Sequence, residues 1–348
     1  MIDLRSDTVT QPTAQMMEAI LQAELGDDGR TNAEGKGEDA TVNALENLAA
    51  KLTRKEDALF CNSGTMANHT ALLTYTKRNG RIGVDPDSHI YQSERAIFQK
   101  EYFGREPVFF RSDETGRPLL ESIDTLPKEK LGVLCLENTF SSKGGTCISA
   151  KETAAFCKKA NEYNLPVHID GARIFNAATH FNTSVKVLAA PAASIQFCLS
   201  KGLGAPVGSV LCGSKAFISE ARKVRKLIGG GMRQAGVIAA AGIEALKRVE
   251  TVHEDNEKAY LLKSLLHMQE EVFQLNQVES NIVLLNLSKE RFSAEAIKDA
   301  LAEQGLKVKT TAGNQLCMTT HKDVTVRDIE QAAAILNTYF AKIKRSPV

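Results

Sequence analysis

Apolar residues along this chain follow two spacings. At 14–23, 40–52 and 65–78 they recur every three to four residues, the repeat of a helix with one buried face. Glu38 and Asp39 stand at the start of the second of these segments, as a helix amino end prefers. Elsewhere the apolar residues are bunched: "DALFCN" (57–62), "RIGVD" (81–85), "PVFF" (107–110), "GVLCLEN" (132–138), "LPVHIDG" (165–171), "SIQFCLS" (194–200) and "GSVLCG" (208–213). Several of these runs are apolar almost throughout, which predicts strands buried on both faces of a largely parallel sheet. A helical segment at 150–164 between the strands at 132 and 165 makes a βαβ unit. The pattern predicts a large α/β domain over residues 1–245, a long helical stretch from Ile238 to Phe273 leading out of it, and a smaller α+β domain over 246–348. In that smaller part "SNIVLLNL" (280–287), "LKVKT" (306–310) and "NQLCMTTH" (314–321) read as strands, with helices at 293–304 and 325–343.

Composition narrows the function classes. The chain has 348 residues, of which 43% are hydrophobic and 24% charged, an ordinary balance for a soluble protein of about two domains. A formal net charge of +1 gives no electrostatic reason to expect nucleic acid or an anionic membrane as partner. The start "MIDLRSDTVT" carries charges where a secretory signal would be apolar, and no apolar run approaches the ~20 residues a membrane helix needs. The seven cysteines are scattered, mostly inside apolar runs and never as C-x-x-C, so they read as buried reduced thiols of a cytoplasmic protein. The sequence shows no group of His, Cys or carboxylates with metal-ligand spacing, so no metal is expected.

Chemistry concentrates at predicted strand ends, where ligands bind in open α/β sheets. "HIDGAR" (168–173) ends one strand with Asp170 and Arg173, and "LSKGLG" (199–204) ends another with Lys201. "CNSGTMAN" (61–68) ends an early strand and opens a helix with Ser63, Gly64 and Thr65. Each alone is an ordinary turn or cap; together they describe one site. A glycine and hydroxyls at a helix amino end suit a phosphate. A carboxylate suits a protonated ring nitrogen, and a lysine forms an imine with an aldehyde. Pyridoxal phosphate carries all three groups and asks its protein for such a lysine and such an acid. The small residues after Lys201 are expected to let the cofactor approach closely.

At this point the sequence also resembles a family. "MIDLRSDTVTQPT" (1–13), "SGTMANHTALL" (63–73), "LENT" (136–139), "HIDGARIFNA" (168–177), "CLSKGLGAPVGS" (198–209), "RKLIGGGMRQAGVIAAAGIEAL" (225–246) and "TTH" (319–321) are similar, in order, to the low-specificity L-threonine aldolases, within the β-eliminating lyase group of pyridoxal phosphate enzymes. The resemblance implies the fold-type-I (aspartate aminotransferase-like) architecture and a homo-oligomer, dimer or tetramer, with a site shared between subunits. It implies Lys201 as the Schiff-base lysine and Asp170 as the pyridinium partner. Arg173 would lie near the ring hydroxyl and substrate carboxylate, and Ser63, Gly64 and Thr65 would form the phosphate cup. His89 would stack over the ring, Arg233 would reach a cofactor phosphate from the partner subunit, and Ser6 would lie near the substrate carboxylate. The implied reaction is retro-aldol cleavage of L-threonine, L-allo-threonine or a related β-hydroxy-α-amino acid to glycine and an aldehyde.

Three departures bear on the substrate. The family's histidine after "LENT" is here Phe140, which cannot carry a proton. Either His89 with a water does the base work, or the reaction differs: β-elimination, aldol addition or transamination on the same cofactor. The family's arginine four residues before the His of "TH" is here Cys317. Either Arg173 and Ser6 hold the carboxylate alone, or a lysine such as Lys36 or Lys309 substitutes. The loop "GDDGRTNAEGKGEDAT" (26–41) is about five residues longer than the family's, with Lys36 in place of a tyrosine and Ala40 in place of a proline.

Overall fold

The computed structural model describes residues 1–267, 270–288 and 292–345. The chain opens with strand β1 (Ile2–Asp3) and a 3-10 turn over Asp7–Val9, followed by helices α1 (Ala14–Leu21) and α2 (Ala40–Thr53). A central sheet then forms from β2 (Asp57–Cys61), β3 (Arg81–Val84), β4 (Glu106–Phe109), β5 (Leu131–Glu137), β6 (Val167–Asp170), β7 (Ser194–Cys198) and β8 (Ser209–Gly213). Their spatial order is β2-β8-β7-β6-β5-β3-β4. Strands β3 to β7 pair in parallel, and β8 runs against both β7 and β2. Every strand except β8 therefore ends at the same edge of the sheet. Between the strands run α3 (Gly64–Tyr75), α4 (His89–Ser93), α5 (Ala150–Asn161), α6 (Ile174–His180) and α7 (Val185–Ala189), with α8 (Lys215–Leu227) after β8.

Local sequence explains where the helices begin. The side chains of Asp39, Ser63 and Ser149 accept from the free N–H groups of the first turns of α2, α3 and α5. Glu152 returns a bond to the Ser149 backbone and completes a capping box. Strands β2, β3 and β5 to β8 are largely buried, as their apolar runs predict, whereas the edge strand β4 is exposed at Glu106 and Phe109. Phe60, Phe156 and Phe197 are fully buried in one core, and each such side chain contributes about 1.5–3 kcal/mol relative to exposure.

The predicted helix over 238–273 is broken. It becomes α9 (Gly236–Lys247), a 3-10 turn at Val249–Val252 and α10 (His253–Leu265), and Phe273 begins strand β9 (Phe273–Leu275). The reason is a change of core: Leu246 and Val252 pack in the sheet's core, whereas Ala259 and Leu262 pack in a second one. That second core lies under β10 (Ile282–Leu287), α11 (Ala294–Glu303), β11 (Leu306–Lys307), β12 (Lys309–Thr311), β13 (Gln315–Thr319) and α12 (Val326–Arg345). The antiparallel sheet runs β12-β13-β10-β9. The expected strand at 306–310 splits in two, because β11 pairs in parallel with β1 while β12 pairs with β13. Ile2 and Leu4, grouped with the large unit in the sequence reading, are buried in this second core. His321 joins the same ends, its Nε2 lying 2.9 Å from the Asp3 carbonyl oxygen.

Candidate functional site

The common carboxyl edge of β2, β5, β6 and β7 opens on a cavity of about 950 Å³. Ser6, Ser63, Gly64, Thr65, His89, Asp170, Arg173 and Lys201, which lie far apart in sequence, all line it. Arg233, the remaining predicted ligand, does not line this cavity. Its side chain is 68% exposed and lies 3.2 Å from Asp27.

Lys201 stands three residues past β7 and is half-buried. The Thr10 hydroxyl lies 2.8 Å from its carbonyl oxygen, and Gly204 N–H donates to the same oxygen at 2.8 Å. Two of the glycines that follow serve the turn and its packing. Gly204 and Gly208 have φ of +82° and +114°, where a side chain is strained, and a Cβ on them would strike Lys322 and Phe60 at 2.5 Å.

Asp170 ends β6 and is buried. Its carboxylate accepts from Asn68 Nδ2 at 3.1 Å and from Gln196 Nε2 at 2.5 Å. Asn68 is itself held by His168, whose Nε2 lies 3.0 Å from Asn68 Oδ1. Burial drives the His168 ring down to about 4, so it is neutral, and the Ser194 hydroxyl lies 2.9 Å from its Nδ1. This chain of amides and a neutral imidazole fixes the direction of the Asp170 carboxylate without adding charge. The sequence held signals for two of its members. His168 is two residues before Asp170, on the same strand face, and Asn68 is one turn along α3 from Gly64. Gln196 is placed by register alone, opposite Asp170 on β7.

His89 begins α4, with Nδ1 3.0 Å from Glu94 Oε1. A carboxylate oxygen only accepts, so Nδ1 carries the proton and Nε2 is the nitrogen left to act as a base. The bond to Glu94 raises the His89 pKa above its ordinary value, against burial, and Asp170 adds to the rise. His89, Glu94 and Asp170 bring ligand atoms within 4.8 Å of one another, a grouping that spacing in sequence did not reveal. Glu137, at the end of β5, accepts from the backbone N–H groups of His89 at 2.7 Å and Ser141 at 2.9 Å. Burial and the neighbouring Asp170 push its carboxyl up to about 7.

Arg173 is already engaged. Its Nε and Nη2 each lie 2.7 Å from the two oxygens of the buried Asp7, and Nη1 donates to Ser141 Oγ at 3.0 Å. Burial pushes the Asp7 carboxyl up, but Arg173 with Lys201 outweighs it and holds Asp7 below the usual range. Asp7 was missed in the sequence although it adjoins Ser6 in "LRSDTVT". Ser6 Oγ accepts from Thr8 N–H at 3.2 Å, which leaves its own proton for the cavity.

Phe140 does not line the cavity. It is buried against Gly116, whose added Cβ would come within 2.6 Å of the ring, while Ser141, Ser142 and Lys143 face the opening. Cys317 does line it. Lys36 lies elsewhere, paired with Asp57 at 3.1 Å and donating to Asn47 at 2.7 Å.

The residues present fit pyridoxal phosphate. Ser63 takes the N–H groups of Met66 and Ala67, leaving those of Gly64 and Thr65 for an anion at the amino end of α3. A Cβ on Gly64 would fill that cradle, at 3.0 Å from Cys198 Sγ. Gln196 Oε1 and Ser209 Oγ, 3.8 and 3.6 Å from the same point, are buried polar atoms with no partner among the described residues. Ser63, Asp170 and Lys201 thus present a phosphate cup, an acid and an amine to one space.

Comparison with known proteins agrees. The family model described as beta-eliminating lyase matches residues 3–290. Low-specificity L-threonine aldolase 1 of Arabidopsis thaliana is 36% identical over 340 residues, covering 94% of this chain and 93% of the relative. The low specificity L-threonine aldolase of Escherichia coli K12 is 35% identical over 351 residues, covering 98% and 100%. Among solved structures, Leishmania major threonine aldolase superposes with a TM-score of 0.79 at 16% identity, covering 97% of this chain and 99% of that one. Sphingomonas wittichii serine palmitoyltransferase superposes with a TM-score of 0.77 at 19% identity, covering 99% and 88%. The fold is therefore shared across different activities and is that of the fold-type-I enzymes. With its match spanning most of the chain and full-length relatives above 30% identity, this protein belongs to the β-eliminating lyase family of pyridoxal phosphate enzymes.

Proposed function

We propose that this protein cleaves L-threonine, L-allo-threonine or a related β-hydroxy-α-amino acid to glycine and an aldehyde. The observation that carries the reading is the convergence of Lys201, Asp170, His89 and the amino end of α3 on one cavity, in a chain that is similar over nearly its whole length to two threonine aldolases.

Bound pyridoxal phosphate supplies the electron sink for the pair released when the Cα–Cβ bond breaks. The chain's own residues do the rest. Lys201 would offer the amine that holds the cofactor aldehyde, and Asp170, fixed by Asn68 and Gln196, would pair with the protonated ring nitrogen. Ser63, Gly64 and Thr65 would hold the phosphate, and Ser6 and Arg173 would lie toward the substrate carboxylate. Nε2 of His89 takes the proton of the substrate's β-hydroxyl. As that O–H is lost, the C–O bond becomes a carbonyl, the Cα–Cβ bond breaks and the aldehyde leaves. The proton taken up by Nε2, returned to Cα by way of solvent, then gives glycine, with no net proton consumed. Base assistance of this kind accelerates a step by about 10²–10⁴-fold.

The site is proposed to be completed in a homo-oligomer, with Arg233 reaching the phosphate of a partner subunit. In support, Arg233 is exposed, and Met17, Leu21, Leu25 and Leu227 are each apolar and exposed. A reducing, cytoplasmic location fits seven cysteines that are all free, six of them buried. The deciding assay is release of acetaldehyde and glycine from L-threonine and L-allo-threonine by the cofactor-loaded protein, with Lys201→Ala as blank. Release well above the blank is the expected result. A protein that binds the cofactor through Lys201 yet releases no aldehyde from either substrate overturns the proposal.

A further inference from the structure

Six cations border the cavity: Arg5, Lys143, Arg173, Lys201, Lys298 and Lys309. Four are matched to a carboxylate, Arg5 to Asp3, Lys143 to Asp87, Arg173 to Asp7 and Lys298 to Glu295. Among the described residues, only Lys201 and Lys309 have no such partner. Lys201 is accounted for by the cofactor. Lys309 is an exposed cation on the border of a cavity that already contains everything else the reaction needs.

Its position is specific. Lys309 on β12 is in register with Cys317 on β13, which is in register with Leu284 on β10. Residues directly opposite across strands share a face, so Lys309 stands beside Cys317 on the side of the sheet that borders the cavity. Ile282 and Thr319, the next matched pair on that face, border the cavity too. Burial raises the Cys317 thiol, and the charges of Arg173 and then Lys309 pull it the other way. Arg173 cannot serve a substrate carboxylate alone, because its charge is compensated by Asp7 and a single edge, Nη1, is turned away from that pair toward Ser141.

We infer that Lys309 binds the α-carboxylate of the substrate, a clamp displaced by one strand from the Cys317 position, with Nη1 of Arg173 as the second donor. The assignment rests on the amino-acid lyase reading above. It gives Lys309 the role of a binding and specificity residue: an amine without a carboxylate gains nothing from it.

The test compares two ligands on the cofactor-loaded protein by the change in visible absorbance: glycine, which carries the carboxylate, and ethylamine, which lacks it. Lys309→Met is expected to weaken glycine by roughly 10–100-fold, the effect of losing one charge-assisted bond, and to leave ethylamine within a few-fold. Lys309→Arg restores most of the glycine affinity, and so does Cys317→Arg added to Lys309→Met. KM for L-threonine rises in Lys309→Met with kcat little changed. Equal loss of both ligands, or loss of neither, overturns the assignment. If Lys309→Met leaves glycine binding and aldehyde release intact, the clamp fails and the aldolase reading stands. If glycine binding depends on Lys309 while the parent protein releases no aldehyde, the clamp stands and the aldolase reading fails.

Discussion

Arg173 and Asp7 meet as a two-point ion pair, Nε to Oδ2 and Nη2 to Oδ1 both at 2.7 Å, with Asp7 fully buried. The pair joins the end of β6 to the amino-terminal segment that carries Ser6, and Asn281 Nδ2 adds a third contact to Asp7 at 3.2 Å. Removing one partner of a buried pair leaves an uncompensated charge and costs about 3–5 kcal/mol. Asp7→Asn is therefore expected to lower stability by that amount, read from urea unfolding of the purified protein. An Asp7→Asn protein as stable as its parent would show that the pair does not hold the segment in place.

Gly64 opens α3 at the proposed phosphate cup. Alanine is intrinsically better than glycine in a helix by about 1 kcal/mol, so Gly64→Ala should not weaken the fold by way of helix propensity. The added carbon occupies the cradle beside Cys198 and Ser209. Cofactor affinity is expected to fall about tenfold or more, the loss of one charge-assisted contact, with an unchanged far-ultraviolet spectrum. Retention of the cofactor through extended dialysis at the parent's level would remove Gly64 from the cup.

Glu94 sets the acid limb of the pH profile. The His89 pKa is raised, first by the Glu94 hydrogen bond, and the neutral ring is the form that accepts a proton. Activity should rise with pH through that raised value as His89 loses its proton. Glu94→Gln removes the largest cause of the rise, so the acid limb of kcat/KM moves to lower pH. A limb that stays in place, or moves upward, would assign it to another group, the nearest being Glu137 at about 7.

Phe140→His is expected to gain no activity. Position 140 is buried and packed on Gly116, away from the cavity. A histidine there loses the ring's packing and buries polar nitrogens, at about 1–3 kcal/mol for each one unpaired. The melting temperature should fall with no rise in kcat. A rate gain would mean that the 138–146 loop turns over to present the new side chain.

Much of this protein was legible in its sequence. Continuous apolar runs fixed the strands, because a strand covered on both faces has no polar face to show. Lys201, Asp170 and Ser63 stood out because strand ends and helix starts are local events, and the residue type there states its chemistry. Tertiary structure alone decided the rest. Whether Phe140 or Ser141 faces the cavity depends on how one loop packs against Gly116. Whether Arg173 is free depends on Asp7, which is 166 residues away. The helix expected over 238–273 breaks because the chain passes from one core to another, which no periodicity records. Lys309 and Lys36 are alike as letters. Asp57 neutralises Lys36, while β-sheet register sets Lys309 beside Cys317 with its charge unmatched. A sequence states what each side chain can do; which charges find partners is a property of distance, and only the folded chain sets distances.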